Sequence, residues 1–213
     1  TLTNMCRVTT RIALATCEQL PDLDPDDQPL INLFRKIGIE AMPAIWSDSS
    51  IDWTLFDQII IRNTWDYTNR LGEFLAWAKS NKSRIRNSFE TIRWNCDKIY
   101  LKDLASAGFP VVDTQFVSGG DSGWDPPNTA DFVVKPTVSA GSQDTMRFPA
   151  DRPGSKRNAQ DLINRIVSHG KTAMVQPYLA AVDEVGETAQ LFIGGDYSHA
   201  VRKGPLLAPN VLA

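Results

Sequence analysis

The chain has 213 residues, 42% of them hydrophobic and 22% charged, with a formal net charge of −3. That length supports one large core or two modest ones, and that balance is globular rather than disordered. A slightly acidic chain without clustered Lys and Arg excludes a nucleic-acid footprint, and no apolar run approaches the ~20 residues that span a bilayer. Thr1 to Thr10 lacks the apolar core of a secretory signal, so the cytoplasm is the expected compartment. Cys6, Cys17 and Cys96 have no CxxC spacing, and they read as reduced thiols rather than a disulfide framework or zinc site, with Cys6 in an N-terminal arm.

In chain order, Ile12 to Ala15 predicts a short buried strand, followed by an acidic, Pro-containing loop from Pro21 to Asp27. Leu30, Leu33, Phe34 and Ile37 then recur at helical spacing, with Gly38 as the stop. Strands over Ile39 to Ile45 and Gln58 to Arg62 come next. A helix with Leu71, Phe74, Leu75 and Ala78 on one face follows, then a short strand over Arg84 to Arg86. This alternation predicts an α/β unit with a parallel sheet over residues 1–90.

After residue 90 the pattern changes. Asn95 or Asp97 is suited to cap a helix with Leu101, Leu104 and Ala105 inward, closed by Gly108. Beyond it come a strand over Val111 to Val117, a loop rich in Gly, Asp and Pro (Ser118 to Thr129), and a strand Phe132 to Val134 ending in Lys135-Pro136. A polar break, Pro149 to Asn158, precedes a helix over Ala159 to Ser168 and a strand over Thr172 to Gln176. Thr188 to Ile193 and Tyr197 to Arg202 flank Gly194-Gly195-Asp196, a hairpin signal. Residues 91–213 are therefore expected to be α+β with antiparallel pairing, and no internal repeat is present.

Chemistry concentrates where the lysine strand opens into a loop of small residues, Thr137 to Thr145. An ammonium beside hydroxyl and backbone donors is a phosphate cradle, which points to a nucleotide. The structural alternative for Lys135 is an edge guard, for Lys98 a solvated helix charge, and for the loop a plain turn. His199 reads as a packed or surface residue. Arg62-Asn63-Thr64-Trp65-Asp66 follows the third strand, where ligands collect at the carboxyl ends of parallel sheets. Substrate binding by Arg62, supported by Asn63, Trp65 or Asp66, is the functional reading. Its alternative is a helix start at Thr68 or Asn69 with a packed aromatic. Walker, GxGxxG, GxSxG and HExxH motifs are absent.

Four segments together resemble the ATP-grasp superfamily: Arg93 to Lys98, Phe132 to Pro136, Val175 to Leu179, and Ser198 to Lys203. Within it, the chain is similar to the glutathione-synthetase-like and RimK-like ligases, including those similar to the enzyme that closes the cycloserine ring. The resemblance covers about Ile12 to Pro205. It implies a pre-ATP-grasp substrate-side domain followed by a nucleotide-binding region. The implied reaction is ATP-dependent joining of a small amino-acid-like carboxylate to an amine through an acyl phosphate. By the same resemblance, Lys98 and Lys135 approach the phosphates of ATP, with Ser139, Gly141 and Ser142 in the loop that folds over them. Gln176 and Tyr178 flank the adenine, Asp183, Glu184 or Glu187 accepts from the ribose, and Arg202, with Lys203 as a weaker partner, binds the transferred phosphate or the carboxylate.

The resemblance also implies magnesium held by late carboxylates and an asparagine, yet no Asp or Glu follows Asp196. Two expectations follow: a fragment of a longer ligase, favoured by the apolar tail Leu206 to Ala213, or a noncatalytic nucleotide-binding or interaction module. The partners expected are ATP and a small carboxylate or amine, with a homodimer, and neither nucleic acid nor membrane.

Overall fold

The structure is a computed structural model that describes residues 9–121, 123–127, 131–149 and 151–204. The expectations for Cys6 and for the tail from Leu206 lie outside the described residues. The chain divides into two compact units, Thr1–Asp97 and Lys98–Ala213.

In the first unit, β1 (Arg11–Thr16) lies between β2 (Glu40–Ile45) and β3 (Gln58–Asn63), and β4 (Ile85–Arg86) pairs with β3, all in parallel. A strand covered on both faces reads as an unbroken apolar run, and β1 does. Its alternating side chains serve two cores. Ile12 and Leu14 pack with Leu23 and with Leu30, Ile31 and Phe34 of α1 (Pro29–Lys36). Ala13 and Ala15 face Trp46, Ile59 and Ile85, with Phe74 and Ala78 of α2 (Leu71–Ser80) and Ile92 of α3 (Phe89–Asn95).

The expected inward face of α1 is corrected at two positions, since Leu33 and Ile37 are exposed. The packed, partly buried stripe of Leu30, Ile31 and Phe34 leaves Leu33 about 100° from Phe34 around the helix, and Ile37 is already the C-cap.

The helix start expected at Asn95 or Asp97 is also corrected. Asn95 ends α3, which Ser88 caps by accepting from Thr91 N at 3.2 Å. The next helix, α4 (Tyr100–Ser106), starts after Ile99 without a side-chain cap and buries no residue fully. Similarly, Arg70 rather than Thr68 or Asn69 precedes α2.

The second unit holds an antiparallel sheet in the order β5 (Gln115–Val117), β8 (Ala173–Pro177), β6 (Asp131–Pro136), β7 (Met146–Pro149). Helix α5 (Ser155–Ser168) covers one face, setting Ala159, Leu162, Ile163 and Ile166 on Phe132, Val134, Phe148 and Val175. Phe132 and Phe148 stack with centroids 5.4 Å apart.

Neither β7 nor α6 (Ala181–Val185) was expected from the sequence, and the strand over Val111 to Val117 keeps only its last three residues. Thr114 Oγ1 donates to the Val112 carbonyl at 2.7 Å, giving that segment a local partner in place of a ladder. The expected hairpin is present as β9 (Glu187–Ile193) and β10 (Asp196–Lys203). Gly194 and Gly195 have φ of 64° and 96°, as a two-residue turn with positive φ at both centres requires. Among the described residues no helix is long and apolar enough to cross a membrane.

Candidate functional site

A cleft of about 440 Å³ opens in the second unit between the loop after β6, the end of β8, α6 and the outer end of the hairpin. Strand alternation creates it. Phe132 and Val134 of β6 enter the core against α5, so Lys135 is carried to the opposite face and lines the cleft. Burial pushes the Lys135 ammonium below its ordinary pKa, and Glu187 across the cleft opposes that shift. Such a partly desolvated cation gains by meeting an anion.

Lys98 approaches the same cleft from the start of the unit. Its Nζ donates to the Ser139 carbonyl at 2.8 Å, to Ser139 Oγ at 3.1 Å and to the Thr137 carbonyl at 3.3 Å. Its backbone N–H donates to the Thr137 carbonyl as well. The lysine therefore holds the first residues of the loop Ser139 to Thr145 in place.

That loop is a run of tight turns, with Gln143 N donating to Ala140 and Thr145 N donating to Ser142. Gly141, Ser142 and Asp144 have φ of 58°, 61° and 54°. For the two non-glycine residues this is a costly conformation, the kind that surrounding structure holds in place at ligand-binding loops. Asp144 is retained by Arg165 at 3.0 Å.

At the far side the wall is set by Tyr178. The Arg147 guanidinium lies 3.7 Å over its ring and joins Asp131 at 2.6 Å and Asp183 at 2.8 Å. Tyr178 OH donates to Asp183 at 2.5 Å. These bonds, from Tyr178 first and then Arg147, hold the Asp183 carboxyl below the usual range. Glu187 and Lys203 pair in register at the hairpin's open end, and both line the cleft.

The profile described as D-cycloserine synthetase DcsG, N-terminal domain, matches residues 12–87. The cycloserine biosynthesis protein DcsG of Streptomyces lavendulae is 35% identical over 211 residues, covering 93% of this chain and 69% of that protein. The chain belongs to the DcsG family. The crystal structure of D-cycloserine synthetase DcsG matches 94% of this chain and 70% of its own, with a TM-score of 0.82 at 33% identity.

The fold of this DcsG-family chain is that of the ATP-grasp ligases. D-alanine–D-alanine ligase from Bacillus anthracis, solved with ATP, has a TM-score of 0.60 at 12% identity, covering 91% of this chain and 66% of its own. The RimK-domain ATP-grasp protein of Sphaerobacter thermophilus has a TM-score of 0.51 at 18% identity, covering 80% and 64%. Family and fold together identify an ATP-dependent ligase, which favours the enzymatic reading over a noncatalytic module.

Of the residues singled out in the sequence, Lys98, Lys135, Ser139, Gly141, Ser142, Tyr178 and Glu187 come together in the cleft. Gln176 does not line it. Its side chain is buried and donates to Thr114 Oγ1 at 2.7 Å. Asp183 stands behind Tyr178. Arg202 is exposed on β10 and lies outside the cleft lining, whereas its neighbour Lys203 is part of it, as alternation along a strand demands. Arg147, which positions Tyr178, carries no signal in the sequence, because it lies on β7, outside the predicted strands.

In the first unit, Arg62 pairs with Asp27, and Asn63 donates to the same carboxylate at 2.9 Å while accepting from Asp24 N. Both residues thus clasp the acidic loop Pro21 to Asp27. Asp66 accepts from Trp46 Nε1 at 2.7 Å, and Trp65 is half exposed.

For magnesium, no three His, Cys, Asp or Glu converge among the described residues, and Glu187 is the one carboxylate lining the cleft. Those residues do not by themselves make a site for a hard cation.

Proposed function

We propose that the cleft of the second unit binds the phosphates of ATP and that the protein joins a small amino-acid-like carboxylate to an amine through an acyl phosphate. The observation that carries this reading is the convergence of Lys98, Lys135 and the small-residue loop in one cleft of a DcsG-family chain. In the first step a carboxylate oxygen attacks the γ-phosphorus, the bond to the β-phosphate oxygen breaks, and ADP leaves. In the second, the amine attacks the acyl carbon, the C–N bond forms, the C–O bond to phosphate breaks, and the nitrogen loses a proton. Positioning and charge neutralisation are the protein's main contributions to such transfers.

Lys135 supplies a cation at the phosphates, and Lys98 a second one that also shapes the loop. Ser139, Gly141 and Ser142 offer hydroxyl and backbone donors over the phosphate chain. Tyr178, braced by Arg147 and Asp183, flanks the base, and Glu187 is placed to accept from ribose. Lys203 takes the phosphate role considered for Arg202. The first unit serves the acceptor substrate.

Lys135→Ala should reduce ATP affinity by about 1.5–3 kcal/mol, the range for a hydrogen bond to a charged group, as read by calorimetry. Unchanged affinity would remove Lys135 from the phosphate site. A screen of amino acids for ATP-dependent phosphate release identifies the acceptor.

A further inference from the structure

Arg147 of β7 lies outside the lining of the second unit's cleft, yet it ties several elements together behind one wall of it. Its Nε donates to Asp131 Oδ2, at the start of β6, at 2.6 Å, and its Nη1 donates to Asp183 Oδ2, on α6, at 2.8 Å. Its guanidinium also covers the ring of Tyr178, just past β8. Tyr178 closes the circuit twice: its hydroxyl donates to Asp183 Oδ1, and its backbone N–H donates to the Asp131 carbonyl at 2.9 Å. The Arg147 side chain is only 13% exposed, so these charges form a shielded network rather than an isolated surface pair. The arrangement needs a planar fork with a stacking face, which a lysine lacks.

What the network holds has little other fastening. Helix α6 buries no residue, and every residue of β9 and β10 except Ala189 is exposed. Apolar burial, the ordinary anchor of an element, is thus missing from this arm, and polar contacts must place it. Asp183 supplies two of them. Gly186 then passes the placement on: a Cβ there would lie 2.2 Å from the Lys203 carbonyl oxygen, so the end of α6 sits directly against the end of β10. Glu187 and Lys203, paired in register and both lining the cleft, therefore follow α6.

We infer that Arg147 is a positioning residue of the cleft: anchored on Asp131, it grips Asp183, fixes α6 and the root of the hairpin, and so sets where Glu187 and Lys203 stand relative to Lys135. The inference rests on the reading of this cleft as the nucleotide site, and it makes Asp183 a partner of Arg147 rather than of the ribose.

The test compares the full chain with its Arg147→Met, Arg147→Lys, Asp183→Asn and Arg147→Met/Asp183→Asn variants by two readouts. Without ligand, hydrogen exchange at the Val182 and Gly186 amides and in the hairpin should quicken about tenfold in Arg147→Met, while β6 and α5 keep wild-type protection. In calorimetry, Arg147→Met should weaken ATP about tenfold, Arg147→Lys should recover part of the loss, and Asp183→Asn should add little to Arg147→Met. Asp183→Asn should weaken ATP and 2′,3′-dideoxy-ATP equally. Wild-type exchange of the arm in Arg147→Met, exchange raised equally in α5 and β6, or fully additive losses in the double variant overturns the assignment. So does an Asp183→Asn loss seen with ATP but not with the dideoxynucleotide. A chain whose arm loosens selectively in Arg147→Met, but whose wild type does not bind ATP, overturns the nucleotide reading and leaves Arg147 as the clasp of this arm.

Discussion

Lys135 is held below its ordinary pKa of 10.5 chiefly by burial. A lysine depressed in the folded state is a cost to stability while it stays charged, and the cost fades as pH rises through its folded pKa towards the unfolded value. The proposed phosphate recognition runs the other way, because it needs the ammonium. ATP affinity should therefore decline as pH rises into the alkaline range, earlier than a free lysine would dictate, and Lys135→Arg should flatten that decline in calorimetric titrations. Cys96 differs: burial, with Asp97 nearby, pushes its thiol up to about 11, so at neutral pH it should react with thiol reagents far more slowly than a free cysteine. Lys135 was legible in the sequence because an apolar strand delivers it to a loop of small residues. The engagement of Arg62 was not, because its partner Asp27 lies in an acidic loop that sequence patterning places on the surface.

Among the elements, the junction of α6 and the hairpin is the most constrained. Gly186 has φ of 73°, and a Cβ there would lie 2.2 Å from the Lys203 carbonyl oxygen. Gly186→Ala should therefore cost more than the ~1 kcal/mol typical of a forced positive φ, since backbone must move, and it should also weaken ATP binding by displacing Glu187 and Lys203. Denaturant titration and calorimetry read the two effects. The hairpin itself was legible because Gly194-Gly195 specifies a turn geometry. By contrast, β7 was hidden: four residues that follow the loop and end in Pro149 carry too little periodicity to announce a strand. Ser88 is the missed signal for α3, a capping residue followed by Glu90 in the first turn.

At the scale of the whole molecule, the change from strand–helix alternation to hairpin signals foretold the change from a parallel to an antiparallel sheet. Each unit carries its own aromatic centre, Phe74 among Trp46 and Trp77 in one, Phe132 on Phe148 in the other. Phe132→Ala should cost about 3–5 kcal/mol in chemical denaturation, the usual loss for a fully buried phenylalanine. Beyond stability, the bonds of Lys98 make it an exchange partner. Its ammonium already has three oxygen neighbours, so an incoming phosphate competes with Ser139 and Thr137 for the same protons. Ligand entry then trades loop anchorage for ligand contact, and the turn amides of Gln143 and Thr145 should report that trade as altered hydrogen exchange when ATP is added. In the proposed nucleotide site, a loop fastened by the group that meets the phosphate would register occupancy without a separate sensor.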